Sequence, residues 1–365
     1  MDSPSRRSFL RGAAALGVGV VSGRTLTTQP APAATTCGTT DTTTGRADVR
    51  SFRDVQAAFD SGKPLIIPAG VTVGYAGPYL KVDPGLDLQV DGVLEKTGSP
   101  QGGGTTRSFL RNRDFGAPVD DVTIHGTGVI RAASQKMTCN LFAMSGDRIH
   151  LDSFAVTCWA GGRCMILAGD DITLTGLGIS GSPQTSNNGG IRYAGGNNFL
   201  AQDCNVVSGD DALQFVPLGS PSAPLFDRTI TNGRYLNCTG RSYSARFAVV
   251  GLQGRSTGDR TDITMTASVS DVTFDNCDGV GGICATRVQN ISSSGVISNV
   301  VYNDCQIDMG PSTAKVLGTE FLIDGEPATG GVDGVHGDVH ILHPRTRLER
   351  IEGKTANIDV SVTNY

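Results

Sequence analysis

The stretch DDITLTGLGISG at residues 170–181 joins a polar turn to two short runs in which apolar residues alternate with others. The same phrase, a turn followed by alternating apolar residues and then Gly or Cys, recurs along the chain. Its other copies are DDVTIHGTGVI (120–130), DRIHLDSFAVTC (147–158), NNFLAQDCNVVSG (197–209), RTITNGRYLNCTG (228–240), SDVTFDNCDG (270–279) and SNVVYNDCQID (298–308). Between 120 and 209 the copies follow one another at intervals of roughly 25 residues, and later intervals are longer.

A strand-forming repeat of this irregular period predicts an all-β fold, a right-handed parallel β-helix in which each coil buries its inward residues against its neighbours. A sandwich or barrel would show many tight two-residue hairpin turns, and these are scarce. Before the repeats, Val55, Ala58 and Phe59 fall at helical spacing and predict a short N-terminal capping helix.

The first residues read as a processing segment. Arg6 and Arg7 form the pair of a twin-arginine signal, a weakly apolar stretch follows at 12–21, and small residues stand at 31–34. We therefore predict a signal peptide at 1–34, a flexible Thr-rich lead-in at 35–46 and a single β-helix domain at 47–365. A basic surface helix is the alternative for the first segment. The signal implies a secreted, extracellular protein.

Composition limits the partners. With 49 glycines among 365 residues and only 18% charged residues, the chain is typical of a turn-rich extracellular β protein. Its net charge is -5 and it has no basic block, so nucleic acid is not an expected partner. The body of the chain has no apolar run of transmembrane length, and we expect no membrane anchor. We expect a monomer.

Four cysteines take the same slot in successive copies of the phrase, each after Asn or Asp: Cys204, Cys238, Cys277 and Cys305. Stacked coils would place these thiols in a buried ladder beside a ladder of Asn and Asp, since a free buried Cys behaves as a small hydrophobe. The alternative for an exported protein is a disulfide framework, with Cys158–Cys164 or Cys277–Cys284 as the pairs.

Doubled aspartates occur three times. Asp120-Asp121 and Asp170-Asp171 lead directly into strand starts, where Asp commonly accepts hydrogen bonds from turn amides. The third pair, at residues 210–211 in VVSGDDALQF, follows Ser-Gly on a different side of the coil. This pair is the candidate for chemistry.

Between about residues 159 and 306 the sequence resembles the polygalacturonase family of glycoside hydrolases, within the wider pectin-lyase-like β-helix group. Gly209-Asp210-Asp211 matches the family's Gly-Asp-Asp motif, and Asn187-Asn188-Gly189-Gly190 stands one coil earlier in place of its Asn-Thr-Asp-Gly. Ala245-Arg246-Phe247 takes the place of Gly-His-Gly, and Arg287-Val288-Gln289 that of Arg-Ile-Lys. The chain thus has Gly189, Arg246 and Gln289 where the family has Asp, His and Lys.

The resemblance implies that Asp210 is the general acid and Asp211 part of the base. Adjacent carboxylates raise one another's proton affinity, which suits a catalytic acid. Inverting hydrolysis needs the two carboxyls roughly 6.5–9.5 Å apart around a water. On a regular strand neighbours face opposite ways, so a turn or bulge at Gly209 is required.

Arginines head several strands, and paired hydrogen bonds from Arg suit the carboxylates of an acidic sugar polymer. Solvated edge positions or counter-charges are the alternative. We assign substrate binding to five residues: Arg287, Arg246, Arg192, Asn188 and Gln289. Trp159 and Tyr193 are candidates for stacking on a sugar, with core packing as the alternative. The histidines at 336, 340 and 343 favour a solvated strand face over a zinc site.

Three functions follow. The first is a secreted glycoside hydrolase that cleaves an acidic or plant-derived polysaccharide, without metal or other cofactor. The second is a polysaccharide lyase, in which Ca²⁺ binds the uronate and an arginine such as Arg246 or Arg287 abstracts the proton. The third is a non-catalytic carbohydrate-binding surface protein.

Overall fold

A computed structural model describes residues 45–99, 101–103, 106–134, 137–158, 161–183, 185, 187–218, 223–226, 228–252, 267–282, 284–290, 295–309, 321–324, 337–342, 351–352 and 358–363. All of them belong to one compact unit, Cys37–Tyr365. The predicted signal peptide lies outside the described residues, so that segment and the domain boundaries stay predictions.

Three parallel sheets make up the described structure. Sheet 1 contains β1 (Ala47–Asp48), β2 (Leu65–Ile67), β5 (Asp87–Val90), β8 (Thr123–His125), β11 (His150–Asp152), β14 (Ile172–Thr175), β17 (Gly196–Gln202), β20 (Ile230–Leu236), β23 (Val269–Asp275), β26 (Ile297–Asn303), β29 (Gly337–Leu342) and β31 (Ile358–Thr363). Sheet 2 contains β3 (Thr72–Tyr75), β6 (Val93–Lys96), β9 (Val129–Ala132), β12 (Ala155–Cys158), β15 (Gly178–Gly181), β18 (Asn205–Ser208), β21 (Thr239–Ser242), β24 (Asp278–Gly281) and β27 (Gln306–Met309). Sheet 3 contains β4 (Leu80–Val82), β7 (Ser108–Asn112), β10 (Asn140–Ser145), β13 (Met165–Ala168), β16 (Ile191–Tyr193), β19 (Leu213–Phe215), β22 (Arg246–Leu252), β25 (Cys284–Asn290), β28 (Phe321–Asp324) and β30 (Ile351–Glu352).

From β2 to β29 the chain visits sheets 1, 2 and 3 in turn and then returns to sheet 1 one strand further along. Strand β14 pairs in parallel with β17, β15 with β18, and β16 with β19, so each strand lies beside its equivalent in the next coil. This is the topology of a parallel β-helix. The right-handed parallel β-helix predicted from the repeat is confirmed.

A short helix covers the first coils, as the spacing of apolar residues predicts. Helix α1 (Val55–Phe59) begins after Asp54, whose side chain accepts the Ala57 amide, and it buries Val55 and Phe59. Gln56 exchanges two hydrogen bonds with the backbone of Lys81 in β4, at 2.9 and 3.1 Å. Because β4 is the edge strand of sheet 3, the helix protects an edge that would otherwise present unpaired backbone groups.

Aromatic side chains stack inside the β-helix, along its axis. Tyr235, Phe274 and Tyr302 project inward from successive strands of sheet 1, with ring centroids 5.3 and 4.9 Å apart and planes within 8° of parallel. Equivalent residues in adjacent parallel strands lie about 4.8 Å apart, so the strand spacing itself sets the stacking distance. The ladder continues the apolar core between coils.

The predicted ladders of polar residues and thiols are confirmed. Asn237 donates to Asp203 at 3.1 Å, and Asn276 donates to Asn237 at 2.8 Å. All three have positive φ, a conformation that Asn and Asp tolerate better than other side chains. The thiols one residue later are free and buried: Cys204, Cys238, Cys277 and Cys305.

The disulfide alternative is not realised in the described residues, because Cys158 and Cys164 are also free buried thiols. The Cys284 side chain lies outside the described residues. The two doubled aspartates at strand starts serve the turns, as predicted. Asp120 accepts the Asp147 amide and Asp170 accepts the Asn197 amide, both at 2.9 Å from the next coil.

Candidate active site

Asp210 and Asp211 lie together in the turn between β18 and β19, before the strand begins. The amides of Gly209 and Asp210 both donate to the carbonyl of Asn188 at 2.9 Å, which ties this turn to the preceding coil. A Cβ at Gly209 would lie 2.2 Å from the carbonyl oxygen of Thr185, so this position requires glycine. Neither aspartate occupies a strand position, and the pleat therefore does not force their side chains to opposite faces.

Asp211 is held by an arginine from the next coil. Its Oδ2 accepts a hydrogen bond from Nη2 of Arg246 at 2.8 Å, and its Oδ1 accepts the Arg246 amide at 3.2 Å. The two side chains are only 10% and 16% exposed. Arg246 is the residue that takes the place of the family's histidine, so a permanent cation stands at that position here.

Asp210 is the more exposed of the two acids, and its surroundings raise its pKa. Burial raises the pKa of Asp210, and the neighbouring charge of Asp211 raises it further. The Asp211 amide, which donates to Oδ1 of Asp210 at 2.9 Å, and the cations Arg246 and Arg163 act in the opposite direction. A carboxyl whose burial outweighs two nearby cations is suited to donate a proton.

Gly189 lies one coil before Asp211, at the place of the family's first aspartate. Its neighbour Gly190 donates its amide to the Asp211 carbonyl at 2.9 Å. A Cβ at Gly189 would lie 3.0 Å from Nε2 of Gln214 and 3.1 Å from Cγ of Arg163. Arg163 and Gln214 therefore occupy the space into which a side chain at residue 189 would extend.

Two of the predicted substrate-binding residues serve the backbone instead of lining the cleft. Asn188 is fully buried, accepts the Ser182 amide at 2.7 Å and donates to the Cys158 and Gly162 carbonyls at 3.2 Å. Arg192 is 6% exposed and donates to the carbonyls of Val216 and Pro217. In this arrangement neither side chain is placed to meet a sugar.

The reason for the burial of Arg192 is a segment that follows β19 and covers the outer face of sheet 3. Ala143, Ile166, Ala168 and Ala194 face outward from β10, β13 and the end of β16, and Leu218, Ala223, Leu225 and Phe226 pack on them. Phe226 in turn stacks on Phe115, with centroids 5.3 Å apart. Tyr193 faces inward and is fully buried, so it belongs to the core and not to a sugar-binding surface.

Arg287 and Gln289 lie on β25, in the coil after Arg246. Both are half-buried, and the alternation of β25 puts them on the same outward face. Arg287 stands opposite Val249, which stands opposite Gln214, so one row of sheet 3 joins Arg287 to the neighbourhood of Asp211. Trp159 lies outside the described residues.

Three residues near the acids were not assigned to the site from the sequence. The first is Arg163, whose charge acts on Asp210. Gln214 donates to the Asp211 carbonyl at 2.9 Å, and the hydroxyl of Ser244 donates to the Gly209 carbonyl. Gln214 could have been found from the sequence, because alternation places it on the outward face of the strand that follows the two aspartates. Ser244 could not, because its contact depends on which coils pair.

No cluster of three or more His, Cys, Asp and Glu side chains that could hold a metal ion occurs among the residues described here. Of the three clustered histidines, 336 and 343 lie outside the described residues. His340 sits on β29 with Nδ1 2.7 Å from the Ser361 hydroxyl. In the described part of the chain no helix is long and apolar enough to cross a membrane.

Comparison with known proteins bears on the fold. No protein-family model matches the sequence, and no curated protein matches it. Among solved structures, the chain is similar to a polygalacturonase from Erwinia carotovora ssp. carotovora, with a TM-score of 0.52 over 84% of this chain and 92% of that one, at 12% identity. The likeness establishes the fold.

Two further structures have lower scores. An endo-xylogalacturonan hydrolase from Aspergillus tubingensis gives a TM-score of 0.45 at 12% identity, over 86% of this chain and 96% of that one. A family 28 exopolygalacturonase from Yersinia enterocolitica gives 0.45 at 12% identity, over 87% and 77%. The parallel sheets and the likeness to the Erwinia structure give this chain the pectin-lyase-like β-helix fold, and its activity must be argued from the site.

Proposed function

We propose that this protein is a glycoside hydrolase that cleaves an acidic polysaccharide, with Asp210 as the general acid. The observation that carries the proposal is the turn that holds Asp210 beside Asp211, where burial and the adjacent carboxylate raise the pKa of Asp210. Asp210 is half-buried, so its carboxyl reaches solvent while remaining partly desolvated. A protonated carboxyl at a surface turn can donate to a glycosidic oxygen.

Asp211 is the partner that activates water. Each of its oxygens accepts one hydrogen bond from Arg246, and a carboxylate oxygen has a second acceptor site. A water can therefore be held by Asp211 even though Gly189 offers no further carboxylate. Arg246 fixes the orientation of Asp211, which is the role of a positioning residue.

The charges around the acids favour an anionic substrate. Arg163 and Arg246 both act on Asp210, and Arg287 lies one coil beyond Arg246. Guanidinium groups bind carboxylates through paired, charge-assisted hydrogen bonds. A polygalacturonase is among the solved structures with this fold, which supports a uronic-acid polymer as the proposed substrate class.

The test is a panel of uronate and neutral polysaccharides, read by both new reducing ends and ultraviolet absorbance. Hydrolysis yields reducing ends without absorbance, whereas elimination by a lyase leaves a conjugated double bond that absorbs. Replacing Asp210 with Asn should abolish hydrolysis. The matched control is Asp171→Asn, in a doubled aspartate that serves a turn; Asp171 has φ 57°, which Asn also tolerates, so activity should persist.

Other results would point elsewhere. Absorbing products and a requirement for Ca²⁺ would establish the lyase, while retained hydrolysis in Asp210→Asn would refute the assignment of the acid. Binding without turnover on the whole panel would leave a carbohydrate-binding protein. Since hydrolysis needs no cofactor here, a chelator should leave the rate unchanged.

Export by the twin-arginine route and a monomeric state are part of the proposal. Substituting Arg6 and Arg7 together by Lys should retain the precursor inside the cell, because the paired arginines are the recognised feature of the signal. Sedimentation of the mature chain tests the monomer.

A further inference from the structure

Tyr243 lies at the corner between sheets 2 and 3, beside the turn that carries Asp210. Its amide donates to the Ser208 carbonyl at 2.9 Å, and the next amide, from Ser244, donates to the Gly209 carbonyl at 3.1 Å. The turn at 243–245 is thus stacked directly on the turn of the two aspartates. Ser242 pairs with Ser208, so Tyr243 lies one coil beyond Gly209, the residue before Asp210.

The Tyr243 ring is exposed, whereas the other aromatic side chains of the described residues are buried or half-buried. Its exposed fraction is 43%, and Val296, at 37%, is the other exposed large hydrophobic side chain among the described residues. An exposed aromatic beside a candidate site is a feature that packing does not account for. It has the amphipathic surface that binding sites use, with an apolar ring and a polar tip.

An arginine backs the ring. The guanidinium carbon of Arg241 lies 4.8 Å from the Tyr243 centroid. The buried Nε of Arg241 has no hydrogen-bond partner within the described structure. The Tyr243 ring is therefore the contact that positions this guanidinium. A cation over one part of the ring leaves the rest open to solvent and makes its surroundings positive.

We propose that Tyr243 and Arg241 form a sugar-binding subsite next to Asp210, which takes one uronic-acid residue of the substrate. The C–H face of the pyranose packs on the open part of the Tyr243 ring, and the uronate carboxylate meets Arg241. The inference rests on the proposed function, since it concerns the same cleft and the same substrate class. It adds a residue pair that no catalytic motif of the sequence contains.

Chemistry favours an acidic sugar over a neutral one as the occupant. Arg241 pairs with Val207, three residues before Asp210, and Arg163 and Arg246 both act on the Asp210 carboxyl itself. Successive uronate units carry one carboxylate each, so a polymer of such units meets cations at both positions. A neutral glycan would use the ring alone.

The experiment measures the binding of tetragalacturonate by calorimetry to the full mature chain carrying Asp210→Asn, which prevents turnover. Tyr243→Ala in this background should bind about tenfold more weakly, a difference of about 1.4 kcal/mol. Tyr243→Phe keeps the ring and should bind within about twofold of the parent. Val296→Ala, which truncates the other exposed hydrophobic side chain, is the matched control and should change nothing.

Binding by Tyr243→Ala within about twofold of the parent would overturn the subsite. The subsite would also be overturned if a neutral galactotetraose bound as tightly as tetragalacturonate and Arg241→Gln weakened the binding of both ligands equally. Arg241 would then make no contact with the uronate carboxylate. Kinetics on the otherwise wild-type chain separate this inference from the proposed function. No turnover on the panel sinks the function, whereas turnover with an unchanged KM in Tyr243→Ala sinks only the subsite.

Discussion

Replacing Arg246 with Met should destabilise the protein markedly, although the substitution is far from the centre of the apolar core. The change removes a guanidinium that donates to Asp211 at 2.8 Å and keeps a side chain of similar length. Breaking a fully buried ion pair typically costs about 3–5 kcal/mol, while an exposed pair contributes about 0–1 kcal/mol.

The exposure of the two side chains places this pair closer to the buried class of ion pairs than to the exposed class. The side chains of Arg246 and Asp211 are 16% and 10% exposed, but Asp211 keeps the Arg246 amide as a donor at 3.2 Å. We therefore expect the free energy of unfolding to fall by about 2–3 kcal/mol, below the value for an isolated buried carboxylate. Asp211→Asn together with Arg246→Met should cost less than the sum of the two single changes, because the partners share one interaction.

Equilibrium unfolding in urea, followed by circular dichroism, measures these differences. The matched control is Arg148→Met, which breaks a pair with Asp121 whose side chains are 53% and 61% exposed. That change should cost no more than about 1 kcal/mol. A loss of under about 0.5 kcal/mol in Arg246→Met, or additive effects in the double variant, would refute the view that Arg246 holds Asp211 in a desolvated pair.

Two further predictions concern titration and thiols. Asp210→Asn should be more stable than the wild type near neutral pH and equal to it in acid. The folded-state pKa of Asp210 is raised above the ordinary 3.8. The stability that the protonated Asp210 contributes is therefore fully present below 3.8 and is lost as the pH rises through the raised pKa. Urea midpoints across the pH range test this, and a deficit in Asp210→Asn at every pH would contradict it. The seven described cysteines should not react with a thiol reagent in the native protein, since all are buried and burial raises the pKa of Cys139, for one, to about 12. In denaturant without reductant at least seven thiols should react, and fewer would show that disulfides form after all.

The β-helix was predictable from sequence because its determinants are local and repeated. Alternation of apolar residues decides which side of a strand faces inward, and a recurring turn sets where the next sheet begins. The slot of Cys238, preceded by Asn237, could be matched to its neighbours by counting residues from the turn. The structure then adds only the stacking distance, which backbone pairing fixes for every coil.

The setting of the two aspartates was only partly predictable. Their place in the repeat distinguished them from the two aspartate pairs that serve turns. Strand alternation required a turn at Gly209 if both side chains were to face one side. Whether Asn188 and Arg192 would face a substrate could not be read from the same pattern. Strand alternation predicts that Arg192 points outward, but it does not predict that Leu218 and residues 223–226 pack over that outward face.

By itself, then, the sequence determined the coil, its inward rows and the place of Asp210 and Asp211 on it. Tertiary structure alone decided that Arg246, 35 residues beyond Asp211, pairs with it, and that Tyr243 stands exposed beside Asp210. The physical reason is that periodicity specifies the direction of a side chain relative to its own strand. What meets that side chain depends on the length and packing of the segments inserted between coils, and these have no period.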